Sequence, residues 1–104
     1  MLQGTPVARG VVRGTVRVAR SFTEAQALVP GEVLVVPHID VGWTPFFRVA
    51  AGVVTELGSP LSHAALVARE VGLPTVVNVA DATLVLATGT LVELDGARGT
   101  VTPL

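Results

Sequence analysis

The segment Glu56-Leu57-Gly58-Ser59-Pro60-Leu61-Ser62-His63-Ala64-Ala65-Leu66-Val67-Ala68-Arg69-Glu70 holds the densest set of groups able to do chemistry. It reads as a strand end, a turn containing Gly58, and a helix with His63 in its first turn. The first N–H groups of a helix have no partner within it, and the macrodipole is positive there. An anion is favoured at such a place, a phosphate above all. The neutral form of an imidazole such as that of His63 carries a lone pair on one ring nitrogen. Neutral imidazole is a competent nucleophile towards phosphorus. Once phosphorylated, the ring carries a dianion that the helix end stabilises. Spacing alone also accommodates a plainer role, because a lone His on a short helix is most often solvated or capping.

Gly58, Ser59 and Ser62 belong to the same turn and are the phosphate-binding candidates, with Thr44 approaching from a neighbouring helix. Ser59 suits the helix N-cap, with Pro60 at the first helical position. Two roles are open to Ser62: a hydrogen bond to a phosphoryl group, or to a first-turn amide. Thr44 precedes Pro45, so N-cap is its stronger claim. Ser62 and His63 are not a hydrolase dyad, because adjacent helical side chains diverge by about 100°. His38 and Asp40 have metal-ligand chemistry, but two groups in a loop read as polar surface. Trp43, Phe46 and Phe47 read as core. Arg69 lies well round the helix from His63 and is expected to pair with an acid.

The elements that must position these groups are short. Val12, Gly14, Val16 and Val18 alternate with Val11, Arg13, Thr15 and Arg17, which predicts a half-buried strand from Val11 to Ala19. Ser21 and Glu24 form a capping box for a helix ending near Val29, before Pro30-Gly31. Glu32 to Val36 reads as a buried strand. A helix is expected from Pro45 to Gly52, a strand over Val53 to Thr55, and a helix from Pro60 to Val71 that stops at Gly72. Thr75 to Asn78 is a fourth strand, and Ala80 to Leu86 holds at least one helical turn. Thr90 to Asp95 and Thr100 to Thr102 make a terminal hairpin. The sum is a single mixed α/β domain over residues 1–104, with about three short helices.

Composition narrows the function. Half of the 104 residues are apolar and 14% are charged, which supports a packed core and argues against disorder. The net charge of −1 argues against nucleic acid or an anionic membrane as partner. No Cys is present, which excludes thiol catalysis and Cys-based zinc sites. No apolar run reaches the roughly 18 residues of a membrane span. A soluble cytoplasmic domain is the expectation. There is no Lys and no phosphate-cradling Gly-rich loop, so the chain is not expected to bind nucleotide itself.

Gly58-Ser59-Pro60-Leu61-Ser62-His63-Ala64-Ala65-Leu66-Val67-Ala68-Arg69-Glu70, followed by Gly72-Leu73-Pro74-Thr75-Val76-Val77, resembles the phosphohistidine signature of the phosphoenolpyruvate-utilising enzymes. Phosphoenolpyruvate synthase, pyruvate phosphate dikinase, enzyme I and the rifampicin phosphotransferases belong to that group. Pro30-Gly31-Glu32-Val33-Leu34-Val35, Trp43-Thr44-Pro45 and Asp95-Gly96 are similar to further stretches of the family. The resemblance implies the swivelling β/β/α fold, with helices packed on one side. It implies that His63 is the phosphorylated residue of a carrier. The phosphoryl group comes from ATP or phosphoenolpyruvate on one partner domain, an ATP-grasp domain for ATP. It passes to pyruvate or another acceptor on a second partner domain. Mg²⁺ and ATP are then expected on the partner domains, with no cofactor held by this one. The rival expectation is a stand-alone docking or regulatory module that keeps the fold without phosphoryl transfer. Two positions depart from the pattern: Ser59 stands where many relatives have a second Gly, and Leu61 where dikinases and enzyme I have Thr. Regulatory phosphorylation of a Thr is thereby excluded at 61.

Overall fold

Val33, Leu34, Val35 and Val36 are each fully buried, although successive side chains of a strand point to opposite faces. Both faces of the sheet must therefore be covered, and the two core clusters show how. Val33 and Val35 pack with Val16, Val54, Val76, Val92, Leu94 and Val101. Leu34 and Val36 pack with Val53, Val77 and the helical residues Ala64, Ala65 and Ala68. The first cluster fills the inside of a curled sheet, and the second lies between that sheet and a helical layer.

The computed structural model describes residues 1–39 and 41–104. Its strands are β1 (Leu2–Gln3), β2 (Thr5–Ala8), β3 (Val11–Val18), β4 (Val33–Val36), β5 (Gly52–Thr55), β6 (Thr75–Val77), β7 (Leu91–Asp95) and β8 (Thr100–Pro103). The helices are α1 (Phe22–Ala25), α2 (His63–Val71) and α3 (Ala82–Val85), with a 3₁₀ helix over Val41–Arg48. Strand order is β1-β8-β7-β3-β4-β5-β6-β2. β3, β4, β5 and β6 run parallel, and the other pairings are antiparallel. The two ends of this order, β1 and β2, are successive in the chain and joined only by Gly4. One bent strand thus closes the sheet on itself, which removes its open edges. Gly4 sits in the seam, its N–H donating to the Gly99 carbonyl at 2.8 Å. A Cβ there would collide with the Val77 carbonyl oxygen.

The expected mixed α/β fold is the one observed, and the helical layer lies on one side of the sheet. α3 departs from that layer: Ala82 and Leu86, with Val79, join the interior cluster at one end of the closed sheet. Three boundaries also differ. α1 is a single turn, capped by the Ser21 hydroxyl as expected, and does not reach Val29. The residues from Thr44 on do not start an α-helix. They lie within the 3₁₀ helix, which begins at Val41, so Thr44 is not an N-cap. Pro45 inside it lacks the N–H that an α-helical ladder would need. α2 begins at His63, three residues later than the Pro60 start expected. No helix among the described residues is long and apolar enough to cross a membrane.

Candidate functional site

The chain between the end of β5 and His63 is pinned along its length, first by Glu56 N–H to the Val36 carbonyl at 3.1 Å and Leu57 N–H to the Pro37 carbonyl at 2.9 Å. Gly58 N–H donates to Asn78 Oδ1 at 3.1 Å. Leu61 N–H donates to Ser59 Oγ at 3.1 Å. The Pro60 carbonyl accepts from Arg69 Nη2 at 2.7 Å, and Arg69 Nε donates to the Val7 carbonyl at 2.8 Å. Ala65 N–H donates to Ser62 Oγ at 3.1 Å. These bonds explain the late start of α2. The Pro60 carbonyl, which a longer helix would aim along its own axis, faces Arg69 instead. Ser59 reaches only to Leu61 and makes a local turn. Ser62, not Ser59, is the N-cap, with extended backbone at φ −68° and ψ 161°.

His63 is therefore the first residue of α2, and its side chain is exposed. Among the described residues, no side chain hydrogen-bonds to its ring, and nothing accepts from the His63 and Ala64 N–H groups. An exposed imidazole thus sits beside two unpaired amides at the positive end of a helix, a place suited to anions. Of Ser62's two open roles, its oxygen has the capping one. Arg69 pairs with two backbone carbonyls rather than the acid expected of it. Its side chain points back towards the N-terminus of its helix, as helical side chains do, and a planar fork can reach two acceptors at once.

Gly58 and Ser62 line a small cavity of about 30 Å³ beneath the loop, together with Thr55, Phe47, Ala65 and Val77. A Cβ on Gly58 would lie 3.1 Å from Thr55 Oγ1 and 3.1 Å from Val77 Cβ. The glycine lets the turn lie flat on the sheet. Thr55 Oγ1 is buried and has no hydrogen-bond partner among the described residues. Thr44 is half-buried and lines a separate groove with Phe47, Val67 and Val71. It thus meets α2 on its flank, not in the Gly58–Ser62 cavity. Ser59 is exposed at the outside of the turn.

Glu56 faces α3, its Oε2 accepting from Thr83 N at 2.9 Å and Thr83 Oγ1 at 2.6 Å. Phe47 is buried in the core as expected, whereas Trp43 and Phe46 are half-buried at its margin, Trp43 edge-on to Phe22 and Phe46, with Phe22 and Phe46 tilted at 57°. His38 is exposed. Asp40, its suggested co-ligand, lies outside the described residues. Among the described residues, no group of three or more His, Cys, Asp or Glu is placed to hold a metal. Sequence reasoning placed Asn78 in the fourth strand, which ends at Val77, and gave it no part in the site. Its available signal was an Asn at a strand end, a residue that tolerates left-handed backbone and closes turns through its carboxamide.

Comparison with known proteins gives this loop a family. A family profile described as "PEP-utilising enzyme, mobile domain" matches residues 28–99, which include the loop and all of α2. Phosphoenolpyruvate synthase of Aeropyrum pernix is 43% identical over 102 residues, covering 97% of this chain and 12% of that protein. Rifampicin phosphotransferase of Bacillus cereus is 43% identical over 96 residues, covering 92% and 11%. The chain thus spans about an eighth of the length of these relatives. A solution structure of Enzyme I matches with a TM-score of 0.66 at 27% identity, over 76% of this chain and 33% of that one. With the profile running from the turn before β4 to the turn before β8, the chain belongs to the mobile-domain family of the PEP-utilising enzymes.

Proposed function

We propose that the chain is a phosphoryl carrier in which His63 is the carrying residue. The observation that supports this most is the position of His63: exposed, first in α2, beside two unpaired amides. An imidazole nitrogen attacks the transferable phosphorus of ATP or phosphoenolpyruvate in line. A P–N bond forms as the P–O bond to the leaving group breaks, and the ring's other nitrogen gives up its proton. In the second step an acceptor oxygen attacks the same phosphorus and the P–N bond breaks. The chain's own part is positioning, together with stabilising charge on the phosphoryl oxygens through the helix end. Gly58 and Ser62 shape the loop that presents the ring. Ser59 lies on its outer side, and Thr44 meets α2 on its flank.

Both stations belong to partner domains in this reading: an ATP-grasp domain for the nucleotide and an acceptor domain for pyruvate. The names of the relatives, a phosphoenolpyruvate synthase and a rifampicin phosphotransferase, support phosphoryl chemistry and leave two kinds of acceptor. In this reading Mg²⁺ and nucleotide bind on those partners. The test is incubation with the partner domains and labelled ATP or phosphoenolpyruvate. Acid-labile label on wild type and none on His63→Ala is expected. Label that persists in His63→Ala assigns the role to another residue, and no label on either protein favours a docking module.

A further inference from the structure

We propose that Asn78 is a positioning residue that braces the His63 loop, a role that rests on the carrier reading above. Asn78 follows β6 with φ at 59°, in the left-handed region where a side chain is disfavoured and glycine is at ease. Asn enters this region more readily than other side chains do, and its presence there invites a functional question. The side chain supplies an answer. Its Oδ1 accepts from Gly58 N–H at 3.1 Å, and its Nδ2 lies 3.4 Å from Thr5 Oγ1. A backbone N–H can only donate, so the carboxamide oxygen must face Gly58, which sends the nitrogen towards Thr5. Thr5 is on β2, which pairs with β6. One carboxamide thus ties the start of the loop to the strand that closes the sheet.

Gly58 also lies close on the sheet, with Thr55 and Val77 each 3.1 Å from where a Cβ would be. Arg69 holds the middle of the loop at Pro60 and Ser62 caps its end. Its beginning is held by the Glu56 and Leu57 N–H groups, which donate to the Val36 and Pro37 carbonyls, and at Gly58 by Asn78. A carrier must offer one ring to two different active sites, and small misplacements of a reacting atom are costly in rate. An Asn at a left-handed position where a glycine would fit still more easily is accounted for by this hold.

Asn78→Gly separates brace from scaffold, because it relieves the backbone and removes the carboxamide together. Two readouts apply to the 104-residue chain and its partners: hydrogen exchange at the Gly58 amide, and the rate of label transfer to His63. In Asn78→Gly, exchange at Gly58 should quicken about three- to tenfold and transfer should slow by a similar factor, with an unchanged or raised melting temperature. Asn78→Asp keeps an oxygen facing Gly58 and should retain wild-type protection there. Wild-type exchange and transfer in Asn78→Gly would overturn the proposal. So would a fall of several degrees in melting temperature with amides slackening throughout, the mark of a merely structural residue. If the wild type takes no label, the carrier reading fails by itself, and the Gly58 exchange comparison still decides whether Asn78 is a brace.

Discussion

Arg69 donates from Nη2 to the carbonyl of Pro60, nine residues earlier, at 2.7 Å. The same guanidinium holds Val7 in β2 through Nε at 2.8 Å. A residue in the body of α2 thereby ties down the turn that precedes it and the strand beneath it. Removing the fork frees two carbonyls at once. Arg69→Met is expected to cost about 1–2 kcal/mol, within the range for charged hydrogen bonds after allowance for exposure. Arg69→Lys should recover less than half of that, since one ammonium does not reproduce a planar fork. Thermal unfolding of the three proteins checks both statements.

His63→Ala should abolish label transfer while changing stability by no more than about 0.5 kcal/mol, because the side chain is exposed and its ring makes no hydrogen bond within the described residues. Thermal melts run beside the labelling assay decide it. A loss of stability of several degrees would show that the histidine serves the fold.

Gly58→Ala places a methyl group 3.1 Å from Thr55 Oγ1 and from Val77 Cβ, on a backbone that is otherwise permissive for alanine. The loop must lift or Val77 must yield. A destabilisation of about 1–3 kcal/mol is expected, as for other overpacked sites. Urea denaturation measures it, and Gly58→Ala should also weaken the protection of the Gly58–Asn78 hydrogen bond.

Thr55→Val removes a buried hydroxyl that has no partner among the described residues and keeps the side chain's shape. Desolvating an unpaired hydroxyl is unfavourable, so the valine variant should be more stable by about 0.5–1 kcal/mol. The cavity beside it, about 30 Å³, has room for a water molecule. A less stable Thr55→Val would mean that bound water satisfies the hydroxyl.

Stability should fall on acidification through Glu32. Its carboxylate accepts from Arg17 Nε at 3.1 Å and Nη2 at 3.0 Å, and from Val29 N–H at 2.8 Å. The hydrogen bonds from Arg17 hold the carboxyl below the ordinary glutamate range, against the opposing effect of burial. The folded value is the lower one, so the stabilisation is complete above the unfolded pKa of about 4.3 and is lost as pH falls through the folded value. Melting temperature plotted from neutral to acid pH should decline more steeply for wild type than for Glu32→Gln. Parallel curves would show that the pair contributes nothing to the acid response.

The amino-acid sequence by itself determined the period of every central strand and the place of the histidine. Val12, Gly14, Val16 and Val18 announce β3 because a two-residue period has one physical meaning. Val33 to Val36 announce β4 because a run without polar residues must be covered on both faces. Gly72 and Pro74 end α2 through local backbone restrictions that need no tertiary partner. His63 stood out because its chemistry and its neighbours Gly58 and Ser62 are contiguous in the chain. Tertiary structure decided what long-range contacts govern. The start of α2 moved from Pro60 to His63 because Arg69 takes the Pro60 carbonyl, and the cap passed from Ser59 to Ser62 with it. β1 and β2 were unread because two- and four-residue strands carry too little pattern, and only their partners β8 and β6 make them strands. Asn78 was invisible for the same reason. Its carboxamide meets Gly58 across twenty residues of sequence, a contact that exists only once β5 and β6 lie side by side.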